Sequence, residues 1–113
     1  MTRHLRMAFG NALEGLDDDF NRWYNDTHLG QILEIPGYMA AQRFELSSTQ
    51  VISNPPYKCV ALYEVETDDL ARTSDDLMLK PREELPVTHA WDYDNCATWW
   101  YTPITDRVVQ AAE

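Results

Sequence analysis

The sequence predicts an α+β domain: a four-stranded antiparallel sheet with two helices on one face, in the order strand, helix, strand, strand, helix, strand. Three observations predict it. Apolar residues recur at steps of three and four between Asp17 and Ile35 and stop at Pro36-Gly37. Runs of alternating residues bounded by turn signals precede and follow that stretch. A second, weaker helical pattern opens at Thr67-Asp68-Asp69 and gives way to one last aromatic strand.

The first strand runs from His4 to Asn11, with Leu5, Met7 and Phe9 alternating with His4, Arg6 and Ala8, so one of its faces is clearly apolar. Asn11 to Leu16 is a loop. In the main helix Phe20, Trp23, Tyr24, Thr27, His28 and Gln31 share a stripe that must face the core, and Asp18, Arg22, Asn25 and Asp26 turn away from it. Asp17, Asp18 and Asp19 lie where the helix dipole favours negative charge, and one of them is expected to cap it. Thr27 and Gly30 are poor helix formers on either side of His28, which predicts a break or kink there. The second strand is Tyr38 to Leu46, with Phe44 and Leu46 on one side and Arg43 and Glu45 on the other. Ser47 to Pro56 is an exposed connection, and Tyr57 to Glu66 is the most strand-like run of the chain. Leu70, Leu77 and Leu79 support a helix ending near Lys80-Pro81. Arg82 to Asp94 reads as a long loop or lid, Asn95 to Thr102 as the fourth strand, and Ile104 to Glu113 as a tail able to cross to a partner subunit.

This order is that of a ferredoxin-like βαββαβ domain. The whole chain, 1–113, is expected to form one such domain. In Tyr57 to Glu66 both alternating sets, Cys59/Ala61/Tyr63/Val65 and Val60/Leu62, are largely apolar, so both faces of the sheet call for burial. One chain has only a single helical layer to offer. A homodimer closing two sheets face to face, a dimeric α+β barrel, answers the need.

Nine Lys and Arg against nineteen Asp and Glu leave a formal charge of −10, which repels nucleic acid and anionic membranes alike. Cys59 and Cys96 are isolated, and no run has the length of a signal peptide or a bilayer span. A soluble, cytoplasmic protein is expected.

Gly15 with Asp17 to Tyr24, His28-Leu29, Pro36-Gly37-Tyr38, Gln42-Arg43-Phe44 and Ala61 to Val65 resembles the EthD-like branch of the dimeric α+β barrel proteins, most strongly from Gly15 to Leu46. Gly30 stands where proline follows the His-Leu pair in many relatives. The resemblance implies the fold and a homodimer. It does not choose a reaction, because the superfamily includes polyketide cyclases, cofactor-independent monooxygenases, isomerases and dehydratases.

The chemistry is therefore sought in a pocket between helices and sheet. Trp23, Tyr24 and His28 of the main helix are expected to meet Phe44 and Tyr63 there, and His89 and Trp91 to close over it. His28 is the candidate general acid or base, and Tyr24 can hold a developing enolate or phenolate oxygen. Burial would keep the imidazole neutral, whereas a helix end just after it would favour the cation. Plainer readings stand beside these: His28 as a core histidine bonded to a carbonyl, the tyrosines and Trp23 as packing, His89 as an idle loop residue. His4 faces the less apolar side of its strand. Arg43 fits an ion pair with a glutamate, or the dimer interface, better than a substrate anion. His4, His28 and His89 are too scattered for a metal site, and no cofactor motif is present, so no metal and no cofactor are expected.

The resulting expectation is proton transfer without a cofactor on a small aromatic or polyketide-like carbonyl compound, of lyase, cyclase or isomerase type. A cofactor-independent monooxygenase of electron-rich phenols, or a ligand-binding protein without turnover, is the alternative.

Overall fold

The computed structural model describes residues 1–80 and 85–112. Its strands are β1 (Thr2–Gly10), β2 (Tyr38–Glu45), β3 (Cys59–Thr67) and β4 (Ala97–Tyr101), joined in one antiparallel sheet of order β2-β3-β1-β4. The helical segments are α1 (Asp17–Trp23), a π-helical turn (Tyr24–His28), α2 (Leu29–Ile32) and α3 (Leu70–Met78). This is the ferredoxin-like architecture expected from the sequence. Pro81 and the first part of the predicted lid, Arg82 to Glu84, lie outside the described residues, as does Glu113.

Register assigns every strand residue to a face. His4, Arg6 and Ala8 of β1 stand opposite Val65, Tyr63 and Ala61 of β3, and Arg6 stands opposite Trp100 of β4. Ala61, Tyr63 and Val65 are buried, so this is the face that the helices cover. The apolar side of β1, Leu5, Met7 and Phe9, is turned the other way, beside Leu62, Val60 and Trp99. Within one chain that second face stays open: Phe44 is 46% exposed and Trp99 50%. The helical side accepts polar heads on β1 because each finds company. His4 Nδ1 lies 2.9 Å from Thr102 Oγ1, and the Arg6 guanidinium sits 5.2 Å from the centre of the Tyr63 ring.

The main helix differs from its sequence reading in three ways. No aspartate caps it: Leu16 occupies the N-cap and makes no side-chain bond to it, while Asp17, Asp18 and Asp19 fill the first turn. The irregularity expected at His28 is present, but as a wide π-helical turn and not as a break. The backbone stays right-handed helical, but the Leu29 N–H bonds back to the Tyr24 carbonyl, five residues earlier, and regular α-helix resumes up to Ile32. That wide turn also moves Thr27 out to solvent, because the buried positions become Phe20, Tyr24, His28 and Ile32, a spacing of four that the extra residue per turn permits. The stop after Ile35 is as expected: Gly37 has φ +94°, and a Cβ there would lie 2.8 Å from the Glu66 carbonyl oxygen, so only glycine fits.

α3 begins as its sequence predicts, with the Asp69 side chain accepting the Arg72 N–H at 3.1 Å. Leu79, placed on that helix by the sequence pattern, lies past its end and is 79% exposed. Residues 102–112 are exposed.

Candidate active site

The π-helical turn sets the geometry. In a regular α-helix residues five apart point about 140° away from each other; here the wide turn brings Trp23 and His28 into a stack, with ring centres 4.4 Å apart and planes 20° from parallel. Tyr24 meets the same imidazole edge-on at 4.9 Å, and Trp91 approaches it at 6.0 Å. Three aromatic rings thus hold one histidine, which is only 8% exposed. Such π-turns recur at functional sites.

His28 borders a cavity of about 170 Å³ shared with Arg6, Ile32, Leu77, Leu85, Val87, Trp91 and Tyr93, with Met78 and Lys80 beside them. A larger hollow, about 460 Å³, lies near Pro36, Met39 and Asp69, but it contains none of the aromatic or imidazole groups gathered around His28.

The imidazole is held well below its ordinary range. Burial is the first cause, and the Arg6 and Arg43 cations add to it, so the ring titrates at about 4 and is neutral near pH 7. Gln31 acts in the opposite sense, although neither its Oε1 nor the His28 Nδ1 closes a hydrogen bond. The competition left open by the sequence is thereby resolved. The helix continues beyond His28, so no helix end stabilises the cation, and desolvation wins.

Buried phenols gather near Arg6. Burial pushes the hydroxyls of Tyr24, Tyr38 and Tyr63 upward, and for Tyr63 the neighbouring Tyr24 adds to the rise. The Tyr38 and Tyr63 oxygens and Trp91 Nε1 are buried and close no hydrogen bond of good geometry, although Arg6 acts on the Tyr38 hydroxyl and Tyr24 on that of Tyr63. Arg43 clamps the helix to the sheet, donating to Asn25 Oδ1 at 2.8 Å and Asn21 Oδ1 at 3.0 Å while its guanidinium lies 4.5 Å from the Tyr24 ring centre. Of the two places expected for it, the ion pair with a glutamate is not formed among the described residues; the helix offers it amide oxygens and ring faces instead.

The structure divides the predicted site residues into groups. His28 and Trp91 border the cavity. Trp23 and Tyr24 touch the imidazole but pack on its protein side, and Tyr63 lies buried in the sheet below. Phe44 is on the opposite face of the sheet, paired with Val60, and His89 is exposed and does not border the cavity. The segment carrying Trp91 is no free flap. Leu13 N–H donates to the Ala90 carbonyl at 2.7 Å and Asp92 N–H to the Asn11 carbonyl at 2.9 Å, pinning it to the β1–α1 loop. A Cβ on Gly10 would come within 3.0 Å of Trp91 Nε1, so glycine there lets the indole lie against β1.

Sequence reasoning missed Arg6 as a site residue. Its signal was present: a cation alternating with apolar residues in a strand, on the face that carries Tyr63 in the neighbouring strand.

The sequence matches no family model and no curated protein. Solved structures share its fold. An EthD-like protein from Ralstonia eutropha is 13% identical over 95% of this chain and 96% of that one, with a TM-score of 0.61. A dimeric ferredoxin-like protein of unknown function from Thermobifida fusca is 10% identical over 90% and 92%, also with a TM-score of 0.61. An ethyl tert-butyl ether D family protein from Bacillus halodurans is 14% identical over 88% and 96%, with a TM-score of 0.51. The resemblance to EthD-like proteins read from the sequence is borne out at the level of the fold. No described helix is long and apolar enough to cross a membrane.

Proposed function

We propose that this protein is a cofactor-independent enzyme that moves a proton on a small aromatic or polyketide-like carbonyl compound bound beside His28, and that it works as a homodimer. One observation carries the reading: a buried imidazole, gripped by three aromatic rings at a π-helical turn, borders a cavity, and its Nδ1 closes no hydrogen bond of good geometry, with Gln31 its near neighbour. A histidine kept only for structure normally closes such a bond.

Neutral near pH 7, His28 begins as a base, takes a proton from carbon activated by the carbonyl, and returns it to another atom of the same molecule. Trp23 and Tyr24 act as positioning residues, fixing the plane of the ring. The apolar lining from Ile32, Leu77, Leu85 and Val87 excludes water and keeps the proton exchange local. The homodimer rests on the open sheet face, where Phe9 and Trp99 rings lie 5.6 Å apart beside exposed Phe44, an aromatic surface with no second layer of its own.

The test is proton exchange into deuterated solvent, followed by NMR across a panel of aromatic ketones and keto acids, with dissolved oxygen monitored. Exchange in the native protein that disappears in a folded His28→Gln variant supports the proposal. Exchange unchanged by that substitution, or oxygen uptake in place of exchange, overturns it and, in the second case, favours a monooxygenase.

A further inference from the structure

The chain carries a formal charge of −10, yet among the described residues lining the His28 cavity the charged ones are Arg6 and Lys80, with no carboxylate. Arg6 comes from the middle of β1, is half-buried against the Tyr63 ring, and forms no ion pair with a carboxylate of the described residues. This is unusual company for a guanidinium in an acidic protein. Elsewhere the same chain pairs its cations readily: Arg3 with Glu66 at 2.6 Å, Lys58 with Asp17 at 3.0 Å. Around Arg6 the neighbours are instead phenols: its guanidinium lies over the Tyr63 ring, and the buried Tyr38 hydroxyl interacts with it.

A half-buried guanidinium with no carboxylate beside it, set among apolar side chains at a cavity wall, is the arrangement that recognises an anion on a largely apolar molecule. We propose that the compound bound beside His28 is an aromatic or conjugated monocarboxylate, and that Arg6 is the residue that holds its carboxylate. This deepens the proton-transfer reading and rests on it for the location of the site. A planar fork suits a carboxylate better than a neutral carbonyl. The bound anion would also counter the positive field on His28, so the imidazole becomes a stronger base only when the ligand is in place.

The experiment is a titration of the native protein with benzoate and with benzamide, its uncharged counterpart, following the Arg6 Nε–H and His28 ring signals by NMR, then the same with Arg6→Met and Arg6→Lys. Benzoate is expected to bind at least about tenfold more tightly than benzamide, to move both signals, and to raise the pH at which His28 titrates, while benzamide leaves it in place. Arg6→Met, which keeps the stem against Tyr63, removes the preference, and Arg6→Lys retains part of it. Equal binding of the two probes, a preference that survives Arg6→Met, or no response of either signal at saturating millimolar benzoate overturns the inference. Should Arg6→Met fail to fold, the native comparison and the His28 shift decide alone. The two readings fail separately: Arg6-dependent benzoate binding without proton exchange removes the catalysis and keeps the anion site, whereas exchange on neutral ketones with no charge preference does the reverse.

Discussion

The depressed titration of His28 ties stability to pH in a way that can be worked out in advance. The ring moves from an ordinary value of 6.5 to about 4 in the folded protein. As pH falls below 6.5 the unfolded chain takes up a proton on this side chain, and the folded protein does not until about 4, so the native state loses ground through that window and the loss is complete below it. The shift is roughly 2.5 pH units, and at about 1.4 kcal/mol per unit the penalty amounts to about 3 kcal/mol, a large part of the 5–15 kcal/mol typical of a domain. The assay is urea unfolding at fixed protein concentration from about pH 7 to pH 4, for the native protein and for His28→Gln, which does not titrate. Carboxylates and the other histidines contribute to both proteins, and the difference between them isolates His28. The native protein should lose about 3 kcal/mol relative to the variant across that range. Parallel curves, or an NMR titration of the ring near 6.5, would refute the account, because burial and the Arg6 and Arg43 cations all act to lower it.

Further consequences follow from packing. Trp99→Glu, on the open sheet face beside Phe9, should convert the proposed dimer to monomer in sedimentation without altering the circular dichroism spectrum of the fold. Gly37→Ala forces a Cβ against the Glu66 carbonyl at positive φ and should cost about 1–3 kcal/mol, read as a lowered Tm. Gly10→Ala pushes on Trp91 Nε1 and should cost about 1 kcal/mol while shifting the tryptophan fluorescence, since the indole must leave its place against β1.

The architecture was legible because it is written in short-range patterns. Alternation marked the strands, the recurrence of Phe20, Trp23, Tyr24 and His28 marked the main helix, and Asp69 and Pro36 marked a start and a stop. The two-sided apolar character of Tyr57 to Glu66 even announced a sheet wanting cover on both faces, and β3 does carry buried Ala61, Tyr63 and Val65 on one side with half-buried Val60 and Leu62 on the other. Local pattern also singled out His28. It could not say that Thr27 would be absorbed by a π-helical turn and Gly30 by the α-helix that resumes after it, because a bulge and a break use the same weak helix formers and differ only in whether neighbouring elements hold the backbone together.

What only tertiary structure decided is the company each side chain keeps. Phe44 and Tyr63 belong to adjacent strands, and their opposite faces follow from pairing register, which sequence does not display. Arg6 entered the cavity for the same reason: its partner across the sheet is Tyr63, and the helices cover that face. The protonation of His28 was likewise out of reach of pattern alone, since it depends on burial and on two arginines from different strands. The residues determine which groups are available near the main helix; the fold, by fixing register and dielectric around them, determines which of those groups can do chemistry together.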